Sequence, residues 1–144
     1  EIIDLVIKSG GVDYAKKSKL ILVHNTFTSK KDVEWTKENN YSIYWCTCPK
    51  ANLYIENSLP DYTIFDQDKL CIGTDSLASN SSLSIIEELK ILQENTDFDF
   101  NTLLKIACKN GAESLGLKEL GTFENGKKPG VNLINNFSEV KRIL

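Results

Sequence analysis

The sequence predicts an α/β fold in which parallel strands alternate with crossover helices. Three observations indicate it: short continuous apolar runs, helix start signals after them, and repetition of this order three times along the chain. A continuous apolar run is typical of a strand covered on both faces. Parallel strands need long connections, which are usually helices. We therefore expect one parallel sheet flanked by helices.

A short helix is predicted before the first strand. An apolar set within residues 1–17, interrupted by Gly10-Gly11, indicates a short broken helix. Residues 19–23 form the first continuous apolar run, which ends abruptly at His24. Ser29 and the residues after it then give a capping-box-like start, which predicts a helix as far as Asn39-Asn40.

Two more strands are predicted in the middle of the chain. Residues 41–48 are rich in β-formers and stop at Pro49, and residues 50–69 are expected to be a loop with at most one helical turn. The third apolar run, residues 70–73, leads to Thr74 and Asp75.

The last third of the chain begins with a helix. Ser84 and Glu87 have capping-box spacing, and one face of the helix is apolar. A second helix is expected over residues 101–109, ended by Asn110-Gly111, with a helical turn near 112–116. A final strand is predicted at 131–134.

Composition narrows the possible functions. A net charge of −3 argues against a nucleic-acid partner, and the apolar runs are too short to cross a membrane. Four cysteines without a disulfide-framework spacing favour a reduced, cytoplasmic setting. The chain has no methionine, so we expect Glu1 not to be a translation start and the chain to be part of a longer protein.

The candidate chemistry lies at two strand ends. His24, the only histidine, and Asp75 each follow an apolar parallel strand. The carboxyl ends of parallel strands are where side chains face the ligand site. Each residue alone has a structural alternative: a hydrogen-bonded histidine, or an aspartate that caps a helix. Their matching placement favours a functional pair. Cys46 and Cys48, with Cys71 and His24, raise the alternative of a zinc site, but C-x-C within a strand lacks knuckle geometry and indicates buried thiols.

Four ordered motifs resemble the amidohydrolase superfamily, in its chlorohydrolase and nucleoside-type deaminase branch. They are LVHN at residues 22–25, CPKANL at 48–53, IGTDSLASN at 72–80 and GTFENGKKPGVNLI at 121–134. The resemblance covers nearly all of the chain from Leu20 onward. One departure is Ala51, where the family pattern has serine.

The resemblance implies the C-terminal portion of a TIM-like (β/α)8 metal-dependent hydrolase barrel. Residues 1–120 would supply about three parallel strand–helix units, and residues 121–144 would return toward an accessory β-domain with one strand. Asp75 would be the metal-binding aspartate that takes a proton from the attacking water. His24 would position that water or stabilise charge that develops on the substrate. Asn52 and Ser76 would contact the substrate.

The resemblance also implies what the chain lacks. The family's first-strand histidine pair and fifth-strand histidine, which supply most metal ligands, have no counterpart in a sequence with one histidine. A complete barrel needs about 250 residues. We therefore expect a divalent metal, zinc or alternatively iron, in the full-length enzyme and weak or no binding by this chain alone.

The expected reaction is hydrolysis of a carbon–nitrogen bond, with deamination of a nucleobase-like or nucleoside-like small molecule as the leading case. Dechlorination and the identity of the substrate stay open. The isolated chain is expected to be inactive and to form a homo-oligomer. The alternative is a non-catalytic module, derived from such a barrel, that completes a fold or drives oligomerisation.

Overall fold

A computed structural model describes residues 18–135 and 139–144 of the chain. The helix expected within residues 1–17 lies outside the described residues. The helices and strands, in chain order, are β1 (Lys19–Val23), α1 (Lys30–Glu38), β2 (Ser42–Thr47), α2 (Pro49–Glu56), a 3₁₀ turn (Tyr62–Ile64), β3 (Leu70–Ile72), α3 (Ile85–Asn95), α4 (Phe100–Leu104), a π-helical segment (Lys105–Asn110), α5 (Gly111–Ser114), β4 (Asn132–Asn135) and β5 (Glu139–Arg142).

The first three strands form a parallel sheet in the order β1-β2-β3. Val23 lies opposite Cys46, which in turn lies opposite Cys71. Each strand therefore pairs with the next strand along the chain, as in a (β/α) barrel. The predicted parallel sheet is confirmed, and all three carboxyl ends meet at one edge.

The core lies between the sheet and its helices. Trp45 of β2 and Leu70 of β3 are 4% and 1% exposed, and the Trp45 ring centroid lies 5.2 Å from that of Phe65. Burial of a large apolar side chain contributes about 1.5–3 kcal/mol. The helices supply the other fully buried apolar side chains of this cluster, namely Val33, Leu89, Leu92, Leu103 and Ile106.

Two helix starts follow the predicted capping patterns. The Ser29 backbone N–H donates to Asp32 Oδ2 at 2.9 Å, and the Asp32 backbone N–H donates to Ser29 Oγ at 3.4 Å. Ser84 Oγ accepts from the Glu87 backbone N–H at the start of α3. These bonds satisfy amide groups that have no partner within the helix.

The prediction of a loop directly after β2 was wrong, because α2 begins at Pro49. Proline suits the first helical position, since its fixed φ is helical and the missing N–H would have no partner there. The helix ends at Asn57, whose left-handed φ of 50° is tolerated by asparagine. As a result, α2 brings Asn52 to the end of β1, where it contacts His24.

The expected helix end at Asn110-Gly111 was also wrong. Gly111 has φ −60° and ψ −47°, so the helical backbone continues from α4 through the π-helical segment into α5. The Asn110 amide is fully buried and donates to the carbonyl oxygens of Gln67 and Leu70, both at 2.7 Å. Asn110 therefore fastens this helical stretch to the start of β3 instead of capping a helix.

The C-terminal residues form a separate two-stranded sheet. The predicted strand at 131–134 is confirmed as β4, which pairs antiparallel with β5. Among the helices in the described part of the chain, none is both long and apolar enough to cross a membrane.

Candidate active site

His24 and Asp75 lie beyond the carboxyl ends of β1 and β3. The His24 backbone N–H donates to the Cys46 carbonyl oxygen at 2.9 Å, which extends the β1–β2 pairing by one residue. Both residues have left-handed backbone conformations, with φ of 72° for His24 and 58° for Asp75. Such a conformation costs about 1–3 kcal/mol in a non-glycine residue, and it is concentrated at functional sites.

Asn25 closes the turn that carries His24. Its side-chain nitrogen donates to the carbonyl oxygens of Leu22 at 2.8 Å and of Cys46 at 3.1 Å. An asparagine amide bonds readily to nearby backbone and tolerates the left-handed region. These two bonds hold the His24 backbone against the end of the sheet.

Asn52 fixes the imidazole of His24. His24 Nδ1 lies 2.8 Å from Asn52 Oδ1, and Asn52 Nδ2 donates to the His24 carbonyl oxygen at 3.0 Å. A carbonyl oxygen only accepts, so the amide nitrogen must face it and the amide oxygen must face the ring. Nδ1 therefore carries the proton, and Nε2 is the nitrogen available to a ligand. Asn52 is 1% exposed, which keeps this arrangement away from water.

Asp75 is held by the first turn of the loop after β3. Ser79 Oγ donates to Asp75 Oδ2 at 2.5 Å. This bond holds the pKa of Asp75 below its ordinary value, with the Ser76 backbone N–H and the nearby His24 ring adding to the effect and burial opposing it. The carboxyl group is therefore ionised at neutral pH.

The two candidate catalytic side chains face each other. His24 Nε2 lies 3.8 Å from Asp75 Oδ2, and the side chains are 34% and 31% exposed. This separation is too long for a direct hydrogen bond. A water or a substrate atom between them can contact both.

The two predicted substrate contacts lie in different settings. Ser76 is exposed beside Asp75, and its carbonyl oxygen accepts from Ser79. Asn52 is buried, and both ends of its amide bond to His24. Contact of either residue with a substrate stays a prediction.

Ser79 had no role assigned from the sequence alone. The signal was present in its spacing, since a serine four residues after an aspartate in a turn can reach that carboxylate.

The described residues do not form a metal site by themselves. Within 18–135 and 139–144, no three His, Cys, Asp or Glu side chains are grouped so that they could hold a metal ion. A catalytic zinc has three protein ligands. An ionised carboxylate such as that of Asp75 has the chemistry of one such ligand.

The thiols of Cys46, Cys48 and Cys71 lie together but are not such a site. Hydrogen bonds to Cys48 and Cys71, together with burial, raise the pKa of the Cys46 thiol, and the same bonds lower the pKa of Cys48 and of Cys71. Among the described residues, these three thiols are not grouped in a way that could hold a metal ion. The prediction of buried strand cysteines is confirmed for Cys71 in β3, whereas Cys46 in β2 is half-buried and Cys48 is buried but lies between β2 and α2.

Comparison with known protein families identifies the family to which this chain belongs. A model of the amidohydrolase family matches residues 3–142, which is almost the whole chain. The chain belongs to the amidohydrolase family. The resemblance found in the four sequence motifs is therefore confirmed.

Relatives of this amidohydrolase chain include nucleoside deaminases. It is 28% identical over 132 residues to the 5-methylthioadenosine/S-adenosylhomocysteine deaminase of Halalkalibacterium halodurans, covering 85% of this chain and 30% of that protein. It is 32% identical over 127 residues to the enzyme of the same name from Pyrococcus horikoshii, covering 81% and 30%.

A solved structure shows the same fold. An adenosine deaminase from Xanthomonas campestris with bound zinc matches with a TM-score of 0.73 and 25% identity, over 90% of this chain and 31% of that one. The parallel sheet and these fold neighbours show a TIM-barrel-like fragment. The amidohydrolase chain spans about 30% of the length of the relatives it matches.

Proposed function

We propose that the full-length protein is a metal-dependent aminohydrolase that deaminates a nucleoside-like small molecule, and that this chain is the C-terminal portion of its barrel. The observation that best supports this proposal is the 3.8 Å separation between His24 Nε2 and Asp75 Oδ2 at the carboxyl ends of two parallel strands. In this proposal the barrel portion ends at residue 120, and residues 121–144 return toward an accessory β-domain.

Asp75 acts as both ligand and proton carrier. A bound divalent metal, zinc or iron, would supply Lewis-acid activation that lowers the pKa of a water to about 7. Because the Asp75 carboxylate is ionised at neutral pH, it can accept a proton from the attacking water. The same proton then goes to the leaving nitrogen. The new carbon–oxygen bond replaces the carbon–nitrogen bond, and ammonia leaves.

His24 orients the water or stabilises developing charge. With Nδ1–H held by Asn52, its Nε2 accepts a hydrogen bond from the water when the ring is neutral. When the ring is protonated, Nε2–H donates to negative charge on the substrate. The Asn52 bond is compatible with both states, because Nδ1 carries a proton in each. Ser76, which is exposed beside Asp75, is predicted to contact the substrate.

The test is release of ammonia from 5′-methylthioadenosine and adenosine by the full-length protein. We expect turnover by the wild type and its loss in Asp75→Asn. Asp97→Asn, which changes an exposed aspartate between α3 and α4, is the matched control and keeps turnover. Normal turnover in Asp75→Asn would contradict the role given to that residue.

A second candidate function applies to the isolated chain: a non-catalytic module that completes a fold or drives oligomerisation. It is favoured by the absence, among residues 18–135 and 139–144, of a group that could hold a metal by itself. Calorimetric titration with zinc separates the candidates. Weak or no binding supports the inert chain, whereas micromolar binding of one metal per chain contradicts it.

The isolated chain should self-associate as a homo-oligomer. Within the described sheet, β1 and β3 each pair on one side only, and an unpaired strand edge is a template for association. Tyr54 and Ile55 on α2 are 75% and 57% exposed, which adds apolar surface. Sedimentation velocity is expected to show a dimer or larger species. A strict monomer at all concentrations would contradict it.

We propose that the reaction takes place in the cytoplasm. All four cysteines are free, which fits a reducing compartment.

A further inference from the structure

Glu88 is a fully buried carboxylate that the proposed reaction does not use. It lies in the first turn of α3 and is 0% exposed. On that helix its neighbours on the buried face are Leu89 and Leu92. A carboxylate in such a place is costly unless hydrogen bonds compensate for the lost water. What it bonds to therefore indicates why the position is not apolar.

The two carboxylate oxygens of Glu88 bond to two parts of the site. We call them the Asn52 arm, which is the start of α2 up to Asn52, and the Asp75 arm, which is the loop after β3 that carries Asp75. Oε2 accepts from the Lys50 backbone N–H at 2.9 Å, in the first turn of α2. Oε1 accepts from Asn80 Nδ2 at 2.6 Å, and the same nitrogen donates to the Thr74 carbonyl oxygen at 2.7 Å. Lys50 is two residues before Asn52, which holds His24. Thr74 directly precedes Asp75.

Only an ionised carboxylate satisfies both partners. The Lys50 backbone N–H and the Asn80 amide nitrogen are donors, so the group between them must accept twice. Burial raises the pKa of Glu88, and these two donors oppose that rise. A glutamine of the same size offers one oxygen and one NH₂ group, so one donor would face another donor. Asn80 cannot rotate its amide to compensate, because its nitrogen also serves Thr74.

We propose that Glu88 is a positioning residue, with one carboxylate oxygen holding the helix that carries Asn52 and the other holding the loop that carries Asp75. This inference rests on the function proposed for His24 and Asp75. It concerns a residue that touches neither the substrate nor the reacting atoms. Its effect is transmitted through Lys50 on one side and Asn80 on the other.

The adjacent Glu87 provides a matched control. Its side chain is 46% exposed and bonds to the Lys50 side-chain amine and to Ser82 Oγ. A glutamine at this position keeps a side-chain oxygen that can accept from the Lys50 amine. Glu87→Gln therefore makes the same chemical change one residue away, without altering the bonds that Glu88 accepts from the Lys50 backbone N–H and from Asn80.

Kinetics of the full-length protein test the proposal with 5′-methylthioadenosine or adenosine as substrate. Small misplacements of catalytic groups cost up to about 100-fold in rate, so we expect kcat of Glu88→Gln to fall at least about tenfold, with KM within about threefold of wild type. Glu87→Gln is expected to keep kcat within about twofold of wild type.

NMR of the 144-residue chain distinguishes a role of Glu88 in positioning His24 from a role in stability alone. The chain has a single histidine, so its ring signals are unambiguous. We expect the Nδ1–H signal of His24 in the wild type and in Glu87→Gln. In Glu88→Gln, measured well below its unfolding temperature, that signal should be shifted, broadened or lost because the Asn52 arm is released.

Asn80→Ala is the second variant, and it keeps the test decisive if Glu88→Gln does not fold. It removes the bonds that Asn80 Nδ2 donates to Glu88 and to Thr74, and it leaves Glu88 bonded to Lys50. We expect kcat to fall while the His24 signal is retained, since only the Asp75 arm is released. The proposal is overturned if folded Glu88→Gln keeps both wild-type kcat and the His24 signal. It is also overturned if Glu88→Gln does not fold and Asn80→Ala has wild-type kcat.

Failure of the proposed function is distinguishable from failure of this inference. If the wild type released no ammonia, or Asp75→Asn kept normal turnover, the proposed function would be wrong. The His24 signal in Glu88→Gln and Glu87→Gln would still decide whether Glu88 positions that side chain. Conversely, an inactive Asp75→Asn beside a fully active, folded Glu88→Gln would remove only the inference about Glu88.

Discussion

The side-chain amide of Asn52 bonds to His24 twice, once to its ring and once to its backbone. The ring nitrogen Nδ1 lies 2.8 Å from the amide oxygen, and the amide nitrogen donates to the His24 carbonyl oxygen at 3.0 Å. The pair joins the end of β1 to α2, 28 residues along the chain. One side chain thus fixes both the backbone and the ring of His24.

Replacing Asn52 by leucine should therefore affect both stability and catalysis. The His24 carbonyl and ring lose their partners, and a lost buried hydrogen bond costs about 1–3 kcal/mol. We expect urea unfolding to show a free energy of unfolding lower by about that amount, and kcat of the full-length protein to fall at least about tenfold.

Asn95→Leu is the matched control for that variant. Asn95 is exposed and bonds only locally, to the Ile91 carbonyl oxygen at 2.8 Å. Its change in unfolding free energy should stay within about 0.5 kcal/mol. Equal effects of the two substitutions would count against a special role for Asn52.

Ser79→Ala should raise the pKa of Asp75 toward its ordinary value of 3.8, because the Ser79 hydroxyl is the largest cause of its lowering. NMR titration of the Asp75 carboxyl carbon, assigned with Asp75→Asn, measures this pKa. Ser58→Ala, which changes an exposed serine, should leave it unchanged. A pKa of Asp75 that stayed the same or fell in Ser79→Ala would refute this explanation.

The same pKa predicts how stability depends on pH. The pKa of Asp75 is lower in the folded than in the unfolded chain, so its ionised form stabilises the fold above the unfolded pKa of about 4. That contribution is lost as the pH falls through the folded pKa. The difference in unfolding free energy between wild type and Ser79→Ala should therefore be largest at neutral pH and shrink in acid. A difference that grew below pH 4 would contradict it.

Two glycines with the same backbone conformation should respond differently to alanine. Gly121 and Gly126 both have φ of 88°. A Cβ at Gly121 would lie 2.8 Å from the Ala112 Cβ and 3.0 Å from the Cys108 carbonyl oxygen, whereas a Cβ at Gly126 would have no neighbour within 4 Å. Gly126→Ala should cost about 1–2 kcal/mol from backbone strain alone.

Gly121→Ala adds a steric clash to the same strain. Overpacking costs about 1–3 kcal/mol, so its loss of unfolding free energy should exceed that of Gly126→Ala by about that amount. Thermal or urea unfolding of both variants makes the comparison. A smaller loss for Gly121→Ala would show that residues 112–121 pack differently.

The elements predicted correctly are those with strong local signals. The apolar run that became β1 and the Ser29 capping box carry their own information, since burial on both faces and an unpaired amide each select residue types. The helix α2 was missed because Pro49 both ends a strand and begins a helix. Asn110-Gly111 resembles a helix end, but tertiary bonds to Gln67 and Leu70 prevail over that local preference.

The site could be predicted only where strand topology determines it. Placing His24 and Asp75 at matching strand ends needs no side-chain detail, because parallel strands bring their carboxyl ends together. The bond between Asn52 and His24 depends on where α2 packs, which no local pattern specifies. Glu88 had a weak signal, an acidic residue on the apolar face of α3, whose meaning appears only with Lys50 and Asn80 in place.

The most direct test of the central claim is the kcat of the full-length protein with Asp75→Asn, His24→Gln and both together. If the two side chains act as a unit on one attacking water, each single variant should lose at least about 100-fold and the double variant little more than the worse single one. Wild-type turnover in Asp75→Asn, or losses that simply multiply in the double variant, would contradict the paired role of His24 and Asp75.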